Sequence, residues 1–546
     1  MIKKTKKMIV TCALPYANES IHLGHILEHI QADIWVRYQK MQGNKVFFIC
    51  ADDAHGTAIM IKSKKLKQNP KKLIKKIHSE HHKDLIDFNI NYDNYYSTHS
   101  KENYKLIKLI YKRLKKNGFI KTKTTYQFYD KKENIFLPDR FIKGNCPKCK
   151  SHNQFGDNCE ICGEIYNSID ILNPKSTISN SIPIIKKSKH LFFNLPHFKN
   201  MLHNWINSNI LQKEITNKTK EWIKSGLKSW NISRDHPYFG FKIPNVSNKY
   251  FYVWLDATIG YMGTFKNLCN KKNYISFNDF WKKNSKHKLY HFIGKDIIYF
   301  HTLFWPSILE GSNFRKPTNI FVHGYLTING KKMSKSKGNF IKARDYLNYL
   351  EPDCLRYYYA SKLSSKIKDI NFNTKNFVEK VNTDIVNKIV NLASRNANFI
   401  EKYFNGYLSK QISNTKLYDK FINEKNNIEI FFLNRETKKV TQKIIFLANL
   451  ANQYINKKAP WKIKIEEKNK SLHNICSMGI HLFRILIIYL KPILPSLANK
   501  TELFLNTSLS WNNIKIPLIS HKIRPFKILF KRIQLKKVNN IFYKNK

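Results

Sequence analysis

Three groups of residues in this sequence have types and spacings suited to chemistry. The first is His22-Leu23-Gly24-His25. Two imidazoles three positions apart share one face of a helical turn, and a helix start leaves backbone N–H groups unpaired beside them, so together they suit phosphate oxygens. Gly24 between them has no side chain to obstruct a base or ribose. The second group is Lys331-Lys332-Met333-Ser334-Lys335-Ser336-Lys337-Gly338-Asn339, a Gly-flanked loop after a strand ending near Leu326. Its ammonium and hydroxyl groups can close on a triphosphate and neutralise the charge that grows on a departing pyrophosphate. The third is Cys146-Pro147-Lys148-Cys149 followed by Cys159-Glu160-Ile161-Cys162, the pattern C-x2-C-x9-C-x2-C. Two such knuckles, with Gly156 and Gly163 in reach, match a closed tetrahedral site of four thiolates around zinc. Such a site leaves no open position for catalysis and clamps structure instead.

These groups need elements to position them. Met8 to Cys12 reads as a buried strand, and the loop ALPYANES leads into a helix with Leu23, Ile26, Leu27, Ile30 and Ile34 at helical spacing. Gly43 stops that helix and KVFFICA, Lys45 to Ala51, reads as a second strand, so the chain opens as βαβ. From about 118 to 245 the hydrophobic periods become irregular and the cysteine cluster appears, which reads as an insertion. The α/β style resumes at KYFYVWLDA from Lys249 and HFIGKDIIYFHTLFWPSIL from His291, and Ile320 to Leu326 reads as a further strand. From about 375 the chain turns helical, with Val386, Ile389, Val390 and Ala393 at i, i+3, i+4, i+7. The expected fold is α/β, a Rossmann-like parallel nucleotide-binding sheet split by a zinc-bearing insertion and followed by an α-helical bundle. The expected divisions are 1–117 and 246–326 for the two halves of the sheet domain, 118–245 for the insertion, 327–380 for the lysine loop and its surroundings, and 381–546 for the bundle.

Composition narrows the class. The 546 residues are 42% hydrophobic and 14% aromatic, enough for several cores, which excludes a wholly disordered basic tail. Lys plus Arg number 96 against 38 Asp plus Glu, a formal charge of +58. Only 12 of the basic residues are arginine and 84 are lysine. That ratio fits either drift toward Lys, Asn and Ile across the whole chain or a polyanionic partner, since phosphate recognition alone would use arginine's bidentate fork freely. The start has no export pattern, because the apolar stretch from Met8 is broken at Pro15, and the ILIIYL run after Arg484 is too short for a bilayer. Cys12, Cys50, Cys269, Cys354 and Cys476 are scattered, as reduced core thiols are. A cytoplasmic protein with no membrane contact is expected.

HLGH and KMSKS, in that order and on those elements, resemble the two signature motifs of class I aminoacyl-tRNA synthetases. The flanks TCALPYANESIHLGH, ADDAHGT (51–57), SRDHPYFG (233–240), YFYVWLDATIGY (250–261), HFIGKDIIYFH (291–301) and VNKIVNLASR (386–395) are similar to the methionyl-tRNA synthetase family, over roughly Lys7 to Trp461. The resemblance implies a two-step ligase. The methionine carboxylate attacks the α-phosphate of ATP, pyrophosphate leaves, and the methionyl group passes from the adenylate to the terminal ribose of tRNA(Met), initiator and elongator. It further implies His22 and His25 on the phosphates, Lys335 and Lys332 closing on them, magnesium shared with ATP, and Gly24, Gly294, Asp296 and His323 around adenosine and ribose.

A thioether is soft and apolar and wants aromatic walls, while an α-ammonium wants a carboxylate. The family positions meeting that need are Leu14, Tyr16, Trp254, Tyr261 and His301 for the side chain and Asp53 for the ammonium. Arg234 in SRDHPYFG is a candidate active-site cation. Asn387, Asn391 and Arg395 form a polar row at intervals of four, and Trp461 follows Pro460; the resemblance makes Asn391, Arg395 and Trp461 readers of unstacked anticodon bases. Two positions depart from the family pattern. Thr258 stands where proline is usual, which suggests a less rigid turn, and Glu19 stands where glycine is common, which places a carboxylate near bound phosphates. The chain ends without the additional C-terminal domain through which some relatives dimerise, so a monomer is expected. A non-catalytic RNA binder would be free to lose His22, His25, Asp53 and Lys335. A synthetase for isoleucine, valine or leucine would need a larger insertion. Binding to tRNA should weaken steeply with salt.

Overall fold

The structure is a computed structural model and describes residues 5–138, 141–156, 159, 161–162, 164, 166–333, 340–463 and 470–543. The opening βαβ unit forms from strand β1 (Lys7–Cys12), helix α1 (Leu23–Met41) and strand β2 (Lys45–Asp52). Both strands read as continuous apolar runs because both faces are covered, the mark of a buried parallel sheet. Strand β3 (Asn94–Ser97) extends the sheet on one side; strands Lys288–Gly294 and Asn319–His323 extend it on the other. The spatial order is Asn319–His323, Lys288–Gly294, β1, β2, β3, with every neighbouring pair parallel. The strand order therefore reverses beside β1, and the crevice beyond the carboxyl ends of β1 and Lys288–Gly294 is where such sheets bind ligands.

Between helix Lys101–Lys116 and helix Val253–Lys271 the chain leaves this sheet. Strands Ile120–Asp130 and Ile184–Phe193 pair antiparallel over ten positions, and a separate three-stranded sheet centred on Ile142–Asn145 carries the first cysteine knuckle at its end. From Thr374 onward the described elements are all helices, joined by stretches without helix or strand such as 507–534. Helix Lys470–Leu490 is long and apolar enough to cross a membrane, but 83% of its apolar window is buried among the surrounding helices, so here its apolarity builds a core. All nine cysteines are free thiols, and Cys12, Cys50, Cys269, Cys354 and Cys476 are buried.

Two expectations are corrected here. The apolar run from Ile320 to Leu326 is not one strand. It breaks at Gly324, where an added Cβ would strike the Lys368 backbone, and Leu326–Ile328 joins a different sheet beside Ile370–Phe372. Lys331 and Lys332 are likewise not loop: they pair antiparallel with Thr327 and Ile328 around Asn329-Gly330, both with positive φ (48° and 78°), as a tight two-residue hairpin requires.

Candidate active site

A cavity of about 520 Å³ opens at the carboxyl ends of the sheet strands. The loop after β1 supplies Leu14 and Tyr16, the start of α1 supplies His22, Gly24 and His25, and the end of β2 supplies Asp53. Helix Val253–Lys271 adds Trp254 and Tyr261. Gly294, Asp296, His301 and His323 come from the ends of the other two strands and the turns after them. All twelve of these sequence-proposed residues line the one cavity.

The α1 end differs in detail from the sequence expectation. His22 is the N-cap residue, and its Nδ1 accepts from Gly24 N–H at 3.0 Å, while His25 Nδ1 accepts from His22 N–H at 3.2 Å. Leu23 N–H donates to Ile341 O. The N–H groups of His22 and Gly24 are thus occupied by the imidazoles, and that of Leu23 by a carbonyl. Each ring that accepts at Nδ1 carries its proton on Nε2, so the two histidines offer Nε2–H donors in place of the backbone. Burial, reinforced by His22, holds His25 well below the usual imidazole range, so it stays neutral. A Cβ on Gly24 would meet Met333 Cε at 2.8 Å and the His22 ring at 2.9 Å, so only glycine keeps this corner open.

At the opposite end Tyr261 O–H and His301 Nε2 are 2.8 Å apart, and His301 Nδ1 lies 3.0 Å from Ile297 O. The carbonyl can only accept, so His301 holds its proton on Nδ1 and Tyr261 donates to Nε2. Burial lowers His301 to about 4, which keeps this wall uncharged. Trp254 stacks on Phe300 with centroids 3.5 Å apart. Asp53 is half-buried, and its solvent-shielded Oδ1 has no partner among the described residues. Burial, with Asp256 second, pushes its carboxyl well above the usual range, so a cation placed beside it would stabilise the ionised form.

Glu28 and His29 also line the cavity and were missed from sequence, although both lie on α1 within a turn of His25. Glu28 Oε1 accepts from Ala13 N–H at 2.6 Å and its Oε2 is 3.0 Å from His323 Nε2. One proton is shared there, and the pair joins α1 to the outer strand with no net charge. Arg234 does not line the cavity. Its guanidinium stacks 3.7 Å over Tyr252 and donates to Ser233 O. Lys332 is described only in its backbone, and Lys335 lies outside the described residues, as does the rest of 334–339.

The departures also resolve. Thr258 sits inside helix Val253–Lys271, and its Oγ1 donates to Trp254 O at 3.2 Å. Glu19 lies 3.6 Å from Lys62, so its charge is balanced locally.

Away from the cavity, the four cysteine Sγ atoms lie within 4.8 Å of one another. Cys146 to Cys162 is 3.8 Å and Cys149 to Cys159 is 3.6 Å. A tetrahedron with metal–sulfur bonds of about 2.3 Å has edges of about 3.8 Å. The N–H groups of Cys149 and Cys162 donate to Cys146 and Cys159 Sγ, which stabilises thiolates, so the donor set fits zinc. In the helical region the Arg395 guanidinium lies 4.5 Å over the Trp461 ring and donates to Asn456; Trp461 is 46% exposed. Asn391 is exposed at the start of the same helix as Arg395, whereas Asn387 is engaged by Arg532 at 2.5 Å, which interrupts the polar row.

A family model described as "tRNA synthetases class I (M)" matches residues 8–397. The chain is 62% identical over 545 residues to the methionine–tRNA ligase of Blochmanniella floridana, covering 99% of each. Among solved structures it resembles Mycobacterium tuberculosis methionyl-tRNA synthetase in complex with methionyl-adenylate. The TM-score is 0.80 at 21% identity, covering 97% of this chain and 100% of that one. The free-state form of the same enzyme gives a TM-score of 0.72 at 19% identity, covering 98% and 99%. The architecture is thus that of the class I synthetases, a Rossmann-like parallel sheet with a helical C-terminal region.

Proposed function

Because the chain belongs to the methionine–tRNA ligase family of class I synthetases and joins methionine to tRNA with ATP, we propose that the cavity above Cys12 and Gly294 is where both halves of that reaction occur. The observation that carries this reading is its polarity: a buried carboxylate oxygen without a partner among the described residues and an uncharged aromatic wall at one end, two histidines with their N–H at Nε2 at the other.

Methionine is read as lying with its thioether among Leu14, Tyr16, Trp254, Tyr261 and His301, and with its α-ammonium on Asp53. That cation relieves the penalty on the Asp53 carboxylate, so burial of the ionised acid becomes binding energy for an amino acid. Gly24, Gly294, Asp296 and His323 hold adenosine and ribose. The methionine carboxylate attacks the α-phosphate, and His22 and His25 donate Nε2–H bonds to phosphate oxygens as charge passes to pyrophosphate. Lys335 and Lys332 add positive charge from their loop, with magnesium carried on the ATP phosphates. No side chain is needed as a nucleophile; the work is positioning and charge stabilisation. Arg234 would have to turn from Tyr252 to take part.

The same reading divides the chain into catalytic halves (1–117 and 246–326), an insertion (118–245), the lysine loop with a stem-contact region (327–380) and an anticodon-binding bundle (381–546). Asn391, Arg395 and Trp461 contact the anticodon of tRNA(Met), initiator and elongator. One zinc ion on Cys146, Cys149, Cys159 and Cys162 clamps the insertion and supplies no catalytic chemistry. The protein is read as a cytoplasmic monomer without membrane contact.

Isotope exchange between pyrophosphate and ATP tests the reading directly. Purified protein should catalyse exchange that depends on methionine and needs no tRNA, and His22→Ala should abolish most of it. Exchange equally supported by isoleucine, or unaffected by His22→Ala, would overturn the site assignment.

A further inference from the structure

Behind Asp53 lies a set of buried polar side chains that adenylate formation does not use. His55 is fully buried and both its ring nitrogens are taken: Nδ1 lies 2.8 Å from Asp256 Oδ2, and Nε2 lies 2.9 Å from His99 Nδ1. Asp256, also fully buried, belongs to the first turn of helix Val253–Lys271. His99 lies at the edge of the core, with its ring stacked against Phe239 and Phe241 at centroid distances of 5.5 and 6.0 Å. His55 follows Asp53 by two residues in the loop after β2.

The surrounding loop has no slack. Asp53 N–H donates to Pro15 O and Ala17 N–H to Asp53 O, both at 2.8 Å. Ala54 N–H donates to Thr98 Oγ1 at 2.9 Å, and Gly56 N–H to Phe239 O at 2.8 Å. At Gly56, φ is +112° and a Cβ would come within 2.7 Å of Tyr16 Oη. His55, two residues beyond the carboxylate that lines the cavity, has its side chain fixed at two ends.

We propose that Asp256, His55 and His99 form a buried strut that holds Asp53 in register with the α-ammonium of methionine. All three are then positioning residues of the amino-acid subsite. This rests on Asp53 being the ammonium's partner. The strut works in either proton arrangement. With Asp256 ionised, His55 donates from Nδ1 and accepts His99 Nδ1–H at Nε2; with Asp256 protonated, each donor along the chain reverses. In both cases two bonds fix the His55 ring, and with it the short run of already bonded backbone that leads back to Asp53. Core filling alone would not place two imidazoles in series on a carboxylate, since an apolar side chain avoids the cost of burying one.

The experiment measures affinity for methionine and for its des-amino analogue 4-(methylthio)butanoate, which has the thioether and carboxylate but no ammonium. Both are measured as ligands of the full chain in wild type and in Asp256→Asn, His55→Gln and His99→Phe. Each variant should bind methionine about tenfold more weakly, bind the des-amino analogue within twofold of wild type, and keep its KM for ATP. A parallel loss of both ligands would mean general damage to the cavity and overturns the strut, as does unchanged methionine affinity. His99→Phe keeps a ring against Phe239 and Phe241, so the test stands even if His55→Gln fails to fold. Asp53→Asn separates the two claims. If it does not selectively lose methionine, the Asp53 assignment fails and takes the strut with it. If it does while the three strut variants do not, only the strut fails.

Discussion

Hydrogen bonds place the protons of His22, His25 and His301, and that gives the sharpest predictions for single side chains. Because Ile297 O claims His301 Nδ1–H, the Tyr261 hydroxyl is the one described donor to His301 Nε2. Tyr261→Phe would leave that buried acceptor unpaired, at a cost of about 1–3 kcal/mol. The KM for methionine in pyrophosphate exchange should rise roughly tenfold with the KM for ATP unchanged, because the ATP end is untouched; an equal rise in both would place Tyr261 outside the methionine subsite. Residue-level legibility was uneven, for a physical reason. His22, Gly24 and His25 are visible as a string because a single turn of helix holds them. His99 and Asp256 gain meaning only from a histidine on another segment, so no local spacing exposes them. Glu28 was in principle legible: it sits three residues after His25, on the same face of α1.

Elements behave differently, since their packing is set by faces rather than single groups. The helix Asn391–Phe404 carries Arg395 and packs on Lys470–Leu490, where Asn396 lies fully buried against Gly479 and donates to Leu392 O at 2.7 Å. A Cβ on Gly479 would fall within 2.5 Å of Asn396 Cγ. Gly479→Ala must therefore part the two helices or eject the asparagine, at about 1–3 kcal/mol of overpacking. Thermal melting should begin several degrees lower, and tRNA charging should slow more than pyrophosphate exchange, because the shifted helix carries Arg395 toward or away from Trp461. Equal slowing of both would mean the bundle does not act separately on tRNA. The opening βαβ unit was legible because each strand is a continuous apolar run with a periodic helix between. The hairpin at 326–332 was not. Ile320 to Leu326 reads as one strand, and only the contact of Gly324 with the Lys368 backbone splits it between two sheets.

At the scale of the whole chain, helix Pro352–Ala360 ties the sheet domain to the helical region. Tyr359 donates to Leu23 O at the start of α1, Tyr357 donates to Asp384 at 2.7 Å, and Arg356 reaches both sides at once. The Arg356 guanidinium is fully buried. Its Nη2 meets Asp33 of α1 at 2.6 Å and Pro492 O at 3.1 Å, its Nε meets Ile493 O at 2.8 Å, and its Nη1 meets Phe88 O at 3.3 Å. Burial alone would raise the Asp33 carboxyl, but Arg37 and Arg356 outweigh it and hold it below its ordinary value. Here the balance of 84 lysines to 12 arginines becomes informative. A lysine has the same charge but one point of attachment and three donors, so it cannot bridge carbonyls on opposite sides of a fork. Arg356→Lys keeps the +58 and removes only that geometry. It should leave Phe88 O and Ile493 O buried without donors and cost about 3 kcal/mol or more, since Asp33 keeps Arg37 as a partner. Melting curves should shift down, and exchange and charging should decline together as temperature rises, because the same helix anchors α1 with its two histidines and the segment that closes the bundle. A variant that melts like wild type, or that loses charging while exchange persists, would show that the two halves are held by other contacts.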